Sequence, residues 1–416
     1  MSDGRDSGAS RRAAMHLIIL FGLVSLFGDI VYEGARSVNG PYLKTLGANA
    51  AIVGLIAGAG EFVGYAVRLF SGYFADRTRA YWLLTFFGYG ALVSVPLLSL
   101  AGVWQLAALF IVVERFGKAL RAPARDTIVS QAAKQVGTGF GFGLHEAMDQ
   151  IGAIAGPLIF SGLFLATGAG GKGAADYQAG FRFLWIPFAL VMLCIVFAYL
   201  RVPDPARLEP SVTPGEPEPL THTFWLYNVF TAVTTLGFVN VVLLAYHFKH
   251  QGIMPDAHIP LVYAVAMAVD GVAAVAVGLW YDRLKAAANS ERAGILTLVA
   301  LPVLSAAVPV LGFTRNYWLG GAAVLLWGVI MGAHETVMRS AVADLTPVRR
   351  RGTGYGVFNM AYGVSIALGT IVSGLLYETS LRLMVVYCVV MQALAAAFFL
   401  ALRSAALQPA SAGKTP

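Results

Sequence analysis

Runs of about 20 apolar residues, separated by short polar segments, repeat along nearly the whole chain. Each run is long enough to cross the ~30 Å hydrocarbon core of a bilayer as a helix, and lipid cannot satisfy the peptide groups of an isolated strand. The pattern therefore predicts an all-α membrane protein with twelve transmembrane helices. The predicted spans are 17–38, 51–73, 81–101, 104–120, 139–166, 183–200, 224–247, 259–281, 294–313, 317–338, 354–377 and 383–402.

The segment 201–222 interrupts this pattern. It has few apolar residues and six prolines, so it can neither span a membrane nor pack a core. The prolines are Pro203, Pro205, Pro210, Pro214, Pro217 and Pro219. We predict an N-terminal six-helix bundle over 1–200, a cytoplasmic Pro-rich linker over 201–222, and a C-terminal six-helix bundle over 223–416.

Composition agrees with a lipid environment. Hydrophobic residues make up 58% of the chain and charged residues 12%, whereas a soluble domain has about 25% charged residues. The net charge of +7 comes from small basic groups between apolar runs, which argues against a nucleic-acid partner. Cys194 and Cys388 both lie within apolar runs, so we expect no disulfide framework, no metal site and no cofactor.

The basic residues also predict the orientation. With the N-terminus in the cytoplasm, roughly 20 Lys and Arg lie inside and about six outside, as the positive-inside rule requires. The outside residues are Lys44, Lys172, Arg182, Lys249, Arg315 and Arg382. No small-residue cleavage pattern closes the first apolar run, so we expect it to be the first span. The prediction is a multi-pass protein of the cytoplasmic (inner) membrane with both termini cytoplasmic.

Three short motifs recur in the same order in the two predicted halves. The pattern Gly-x-x-x-Asp-Arg occurs at 72–77 and 278–283, the segment 121–126 resembles 339–344, and 137–141 resembles 352–356. At a cytoplasmic helix end, a carboxylate can bond to a neighbouring helix N-terminus in one conformation and release it in another. We therefore predict a gating latch, with simple topological anchors as the alternative. The residues concerned are Gly72, Asp76, Arg77, Arg121, Asp126, Gly278, Asp282, Arg283, Arg339 and Asp344.

Charged residues within the predicted spans are the candidate site. Each costs about 2.5–3.5 kcal/mol near mid-bilayer unless it has a partner, a wet cavity or a neutral form. Spacings of three and four place Asp29, Glu33 and Arg36 on one helix face, and likewise His145 and Asp149. We predict proton coupling and substrate binding in a cavity, with fixed interhelical ion pairs as the alternative. The candidates are Asp29, Glu33, Arg36, Glu61, Glu114, Arg115, His145, Glu146, Asp149 and Asp270; His334 fits a packing histidine at least as well.

Two six-helix halves, a long central loop and the Gly72/Asp76/Arg77 signature resemble the major facilitator superfamily. The resemblance implies two bundles that rock about a central cavity, with inverted three-helix repeats in each half. It also implies that spans three, six, nine and twelve are peripheral, and none of these four predicted spans contains a charged residue. Arg115 matches the superfamily's fourth-span arginine, which implies proton coupling or substrate anchoring.

Span five resembles part of a motif of exporters that exchange solute for protons, through Gly152, Gly156 and Pro157 preceded by Gly143. These residues would let the helix bend or approach a neighbour closely, and a hinge, a seal and ordinary close packing all remain open. The sequence departs from the motif after Pro157, where 158–160 replaces the usual glycine pair, and from the loop signature at 79–81.

Together these features predict a proton-coupled secondary active transporter that works by alternating access. We expect it to export a small organic solute in exchange for protons and to function as a monomer. An uptake symporter is the close alternative, and a non-transporting membrane sensor is the alternative from another class. An enzyme is not expected, because the spans contain no nucleophile with a base and no metal-binding cluster.

Overall fold

The computed structural model describes residues 3–136, 138–168, 170–203, 220–346 and 351–407. Within these ranges the regular structure is entirely helical. The helices are α1 Asp3–Thr45, α2 Ala50–Thr78, α3 Tyr81–Leu100, α4 Trp104–Val136, α5 Thr138–Ala166, α6 Ala174–Arg201, α7 His222–Gln251, α8 His258–Ala288, α9 Ala293–Gly312, α10 Tyr317–Leu345, α11 Arg351–Thr379 and α12 Leu381–Leu407.

Eleven helices among the described residues are long and apolar enough to cross a membrane. The remaining helix, α4, carries Glu114, Arg115, Lys118 and Arg121 in its middle third, which lowers its hydropathy. It begins at Trp104 as predicted but continues past the predicted end at 120, because a helix can extend into water once its polar residues leave the bilayer. The prediction of an all-α membrane protein is confirmed, and α4 supplies the twelfth helix.

The first of two compact units comprises Met1–Asn49, Ala59–Thr213 and Ala245–Met267. In this unit α1 packs along α4, α5 and α6, and α3 packs along α4. Helix α1 therefore has neighbours on several sides, and its residues from Val24 to Val38 include many that are fully buried.

The second unit comprises Ala50–Gly58, Pro214–Leu244 and Ala268–Pro416. Here α7 packs along α11 and α12, and α9 packs along α10 and α12. Three helix pairs of the first unit have counterparts here, each six helices later in the chain. The pair α1–α5 corresponds to α7–α11, α1–α6 to α7–α12, and α3–α4 to α9–α10. The predicted boundaries at 200 and 223 remain a prediction, since residues 204–219 of the linker lie outside the described residues.

Glycines allow α1 and α5 to approach closely. A Cβ added at Gly152 would lie 2.3 Å from the carbonyl oxygen of Leu26, and one at Gly156 would lie 2.4 Å from that of Ile30. Both distances are shorter than any side chain tolerates, so only glycine fits without moving a backbone. Of the uses left open for these glycines, the structure supports close helix packing.

Replacing Gly156 by Ala should therefore destabilise the protein by roughly 1–3 kcal/mol, because the added methyl overpacks the helix interface. Thermal unfolding of the purified protein in detergent measures the effect. Gly162→Ala is the matched control, since a Cβ at Gly162 of the same helix meets no atom within 4 Å. Equal melting temperatures for the two variants would contradict the packing account.

Candidate functional site

Arg115 of α4 lies at the centre of a buried ion-pair network in the first unit. Its Nη2 lies 3.2 Å from Glu61 Oε1 and its Nε 3.8 Å from Glu114 Oε2, and its Nη1 donates a hydrogen bond to the Tyr32 hydroxyl. The same Glu61 oxygen lies 4.0 Å from Nη2 of Arg36. Each buried ion costs several kcal/mol to desolvate, and only its oppositely charged partners offset that cost. Removing one member of the network therefore leaves the others with uncompensated charge.

Glu33 of α1 connects this network to α8. Its Oε1 lies 3.5 Å from Arg36 Nη1, and its Oε2 accepts a 2.5 Å hydrogen bond from the Tyr263 hydroxyl. Tyr263 is 2% exposed and belongs to the part of α8 that lies in the first unit. Protonation of Glu33 would weaken its bonds to Arg36 and Tyr263. Through Tyr263, such a change would reach α8.

The Tyr32 ring is a platform for cations. The Lys118 ammonium nitrogen lies 3.6 Å from the ring centroid, and the guanidinium carbons of Arg115 and Arg36 lie 5.0 and 6.0 Å from it. An aromatic face attracts cations most strongly when water is excluded, as it is at this 3% exposed ring. The interaction holds three positive charges within one small region of the unit.

A pair of carboxyl groups lies beside this region. The carboxyl groups of Asp29 on α1 and Asp149 on α5 lie close enough to interact, and Asp149 Oδ1 accepts a hydrogen bond from Ser25 Oγ. Lys118 attracts Asp29 electrostatically, and Arg125 attracts Asp149. A hydrogen bond between two carboxyl groups needs a proton on one of them, since two carboxylates so close repel each other.

The remaining predicted site residues lie on α5 and α8. His145 is buried one turn before Asp149 and interacts with it electrostatically, while Glu146 is exposed on the same helix. Asp270 is buried in the second unit, where a Cβ added at Gly332 would lie 2.5 Å from its carbonyl oxygen. Within the first unit, the structure thus brings Glu33, Arg36, Glu61, Glu114 and Arg115 into one network.

His334 begins a π-helical turn, His334–Met338, within α10 of the second unit. Its ring lies against Phe238, with 5.0 Å between the centroids, and its Nδ1 lies 3.2 Å from the Tyr362 hydroxyl. These contacts fit a packing histidine, one of the two roles that the sequence left open for His334.

Comparison with known proteins identifies the family. The model of the Major Facilitator Superfamily matches residues 18–370. This chain belongs to that superfamily. It is therefore a transporter of the multi-pass membrane type, and its lipid-facing helices and small-molecule substrate follow from that membership.

Two superfamily relatives are similar over nearly the whole chain. An uncharacterized protein of Mycobacterium tuberculosis is 39% identical over 411 residues, which are 97% of each chain. An uncharacterized MFS-type transporter of Methanocaldococcus jannaschii is 21% identical over 380 residues, which are 89% of this chain and 90% of that protein.

A solved structure shows the same fold. It is the crystal structure of a bacterial homolog to the human lysosomal transporter Spinster, in an inward-facing and unoccupied conformation. The TM-score is 0.70 at 16% sequence identity, over 94% of this chain and 97% of that chain. At this identity the likeness shows the fold alone.

The superfamily's loop signature occupies the end of α2 in this chain. A Cβ added at Gly72 would lie 3.7 Å from Pro123 Cβ, an ordinary contact between α2 and α4. Arg77 is exposed, and its Nη1 donates a 3.1 Å hydrogen bond to the Tyr73 hydroxyl. The side chains of Asp76 and Arg339 lie outside the described residues.

Arg121 and Asp126 of α4 have different surroundings. Arg121 is 3% exposed, lies 4.6 Å above the Tyr89 ring, and donates a 3.3 Å hydrogen bond to the Gly88 carbonyl oxygen. It therefore anchors α4 to α3. Asp126 is exposed and lies 2.8 Å from Nη2 of Arg125.

In the second unit, Asp344 accepts hydrogen bonds from the Tyr281 hydroxyl at 2.7 Å and from Lys285 Nζ at 2.8 Å. These bonds tie α10 to α8, which is the kind of contact that a latch requires. Asp282 and Arg283 of the repeated signature are exposed. The gating role of these residues remains a prediction.

A second buried ion-pair cluster joins the α5–α6 loop to the α7–α8 loop within the first unit. Asp256 Oδ2 accepts hydrogen bonds from Lys249 Nζ at 2.7 Å and from the Lys172 amide at 2.8 Å, and its Oδ1 accepts one from the Tyr177 hydroxyl at 2.8 Å. The Lys172 ammonium in turn donates to Thr167 Oγ1 at 2.7 Å. One carboxylate thus holds both loops.

Asp256→Asn should lower the free energy of unfolding by about 3 kcal/mol, because it removes the carboxylate partner of the half-buried Lys249 charge and leaves that charge with the Lys172 carbonyl oxygen. Thermal and denaturant unfolding of the purified protein measure the loss. Asp176→Asn is the control, since Asp176 accepts its 2.8 Å hydrogen bond from the Gly173 amide at the start of its own helix. If both variants unfold alike, the cluster does not stabilise the unit.

Sequence reasoning missed several members of the site. Lys118 could have been found, because it lies three residues after Arg115 and four after Glu114 on one helix face. Tyr263 and Ser25 gave no signal, since they are uncharged and reach the acids only through tertiary packing. Among the residues that the structure describes, no group of three or more His, Cys, Asp or Glu could hold a metal ion.

Proposed function

We propose that this chain is a proton-coupled secondary transporter that exports a small organic solute in exchange for protons by alternating access. It acts as a monomer in the cytoplasmic membrane with both termini inside. The observation that supports proton coupling most directly is the proximity of the Asp29 and Asp149 carboxyl groups, with Ser25 Oγ bonded to Asp149. Such a pair holds a proton while the carboxyls touch and favours its release when they separate.

The surrounding charges make release feasible. When the pair loses its proton, Lys118 offsets the charge on Asp29 and Arg125 offsets that on Asp149. Glu33 lies on α1 one turn after Asp29 and bonds to Arg36 and Tyr263, so a shift of α1 alters the proton pair and the ion-pair network together. The membrane potential then adds about 2.3 kcal/mol per charge per 100 mV.

The export direction rests on the resemblance of the α5 motif to that of solute/proton exchangers. The mixture of acids, bases and aromatic rings suits a cation, a zwitterion or an amphipathic drug. Lys118, Arg115 and Arg36 already lie over the Tyr32 ring, and Arg115 pairs with both Glu61 and Glu114, so the screen covers all three classes of compound.

The test uses purified protein in liposomes with a pH dye in an acidic lumen. Organic cations, zwitterions and amphipathic drugs are added outside, one at a time. Exchange predicts that an accepted compound makes the lumen more alkaline, because protons leave as the compound enters. Further acidification would mean symport, and a compound that binds without any pH change would mean a sensor.

A further inference from the structure

A small polar cavity lies within the first unit, between α1, α3 and α4. Arg36 and Asn39 of α1 and Glu114 and Arg115 of α4 form its polar walls, and Leu98 is among the apolar residues that close it from α3. The space admits about one water molecule. The polar walls belong to the Arg115 network, whereas neither Asp29 nor Asp149 lines the cavity.

Two acceptors on the cavity wall are unsatisfied by protein groups. Oε1 of Glu114 and Oδ1 of Asn39 are buried and have no hydrogen-bond partner among the described residues. Glu114 is 4% exposed, and its other oxygen is the one that faces Arg115. A buried carboxylate oxygen without a donor is costly, so a donor is expected at this place.

The charged side chains that line the cavity determine which hydrogen-bond donor can occupy it. The guanidinium groups of Arg36 and Arg115 both line the cavity and disfavour a metal or ammonium cation. A water molecule is neutral, has two donor hydrogens for the two acceptor oxygens, and matches the size of the space.

We propose that this cavity holds a water molecule that bridges Asn39 and Glu114, and that it takes up a proton from the external solvent as it passes one to the Glu114 carboxylate, so that the water is regenerated. Asn39 lies near the end of α1 at Thr45, and Leu98 lies near the end of α3 at Leu100, so the site faces the α1–α2 loop side of the unit. By the predicted orientation this is the external side. Glu114 adjoins Arg115 and so passes the change in charge to Glu61. This inlet rests on the proposed proton coupling, whereas the water site does not.

Radiolytic hydroxyl labelling of the full-length protein tests the water site. Tyr32 lines the cavity and is 3% exposed, so only radicals formed from a bound water reach it efficiently. We expect Tyr32 to be labelled in the wild type and in Asn39→Ser, which keeps an acceptor oxygen. Asn39→Leu should lower the labelling and the rate of proton uptake by liposomes about fivefold. Val95→Phe fills the same cavity from α3 and serves if Asn39→Leu does not fold.

The outcomes separate the two claims. An unlabelled Tyr32 in the wild type, or equal labelling in Asn39→Leu and Val95→Phe, overturns the water site. Loss of labelling with an unchanged rate of proton uptake overturns the inlet. If Asn39→Leu loses labelling but the wild type moves no protons, the proposed coupling and the inlet are both wrong, and the water site is supported.

Discussion

Asp149→Asn should lower proton-driven transport by about 10²-fold or more while leaving exchange of substrate for substrate across the membrane intact. The amide can keep a hydrogen bond to Asp29 but cannot share or release its proton. Substrate exchange does not require that release. The measurement compares pH-driven uptake with labelled-substrate counterflow in the same liposomes, using a compound found in the screen above.

Two further variants define the cause. Ser25→Ala removes only the hydroxyl that donates to Asp149, so a smaller, graded loss is expected. Asp176→Asn removes a carboxylate outside the acid cluster and should transport as the wild type does. If Asp149→Asn keeps full pH-driven transport, or loses counterflow equally, the pair does not carry the coupled proton.

Arg115→Gln should cost about 3–5 kcal/mol of stability, the largest loss expected from any single change in the network. The substitution leaves Glu61 and Glu114, which are 7% and 4% exposed, without the guanidinium between them. Thermal unfolding in detergent measures the loss. The double variant Glu61→Gln/Arg115→Gln should recover part of it, because it removes the stranded carboxylate together with its partner.

Arg382→Gln is the control for this experiment, since Arg382 is exposed at the start of α12. A melting temperature for Arg115→Gln equal to that of the control would show that the network is solvated and weakly coupled. A double variant whose loss of stability equals the sum of the two single losses would show that the two residues do not interact.

The membrane fold could be predicted from the sequence because hydrophobic length alone determines which segments cross a bilayer. Helix ends were less predictable: hydropathy falls after residue 120, yet α4 continues to Val136 because an α-helix does not need lipid to persist. The glycines at 152 and 156 gave no unique prediction, since a hinge and a close contact use the same residues.

The site was predictable as a set of residues but not as a set of bonds. Glu33 and Arg36 do pair, at 3.5 Å, as their helical spacing indicated. Asp149 interacts with His145 of its own helix, as their spacing indicated, but also with Asp29 and Ser25 of α1. Spacing along one helix cannot show such a pair, because it depends on how the helices pack.

The proton that we propose Asp29 and Asp149 to share can be counted directly. A pH indicator in weakly buffered, detergent-solubilised protein reports protons released when a screened substrate is added. We predict release of about one proton per chain in the wild type and none in Asp29→Asn or Asp149→Asn. Equal release from the wild type and both variants, or no release from any of them at a saturating substrate concentration, would contradict the account.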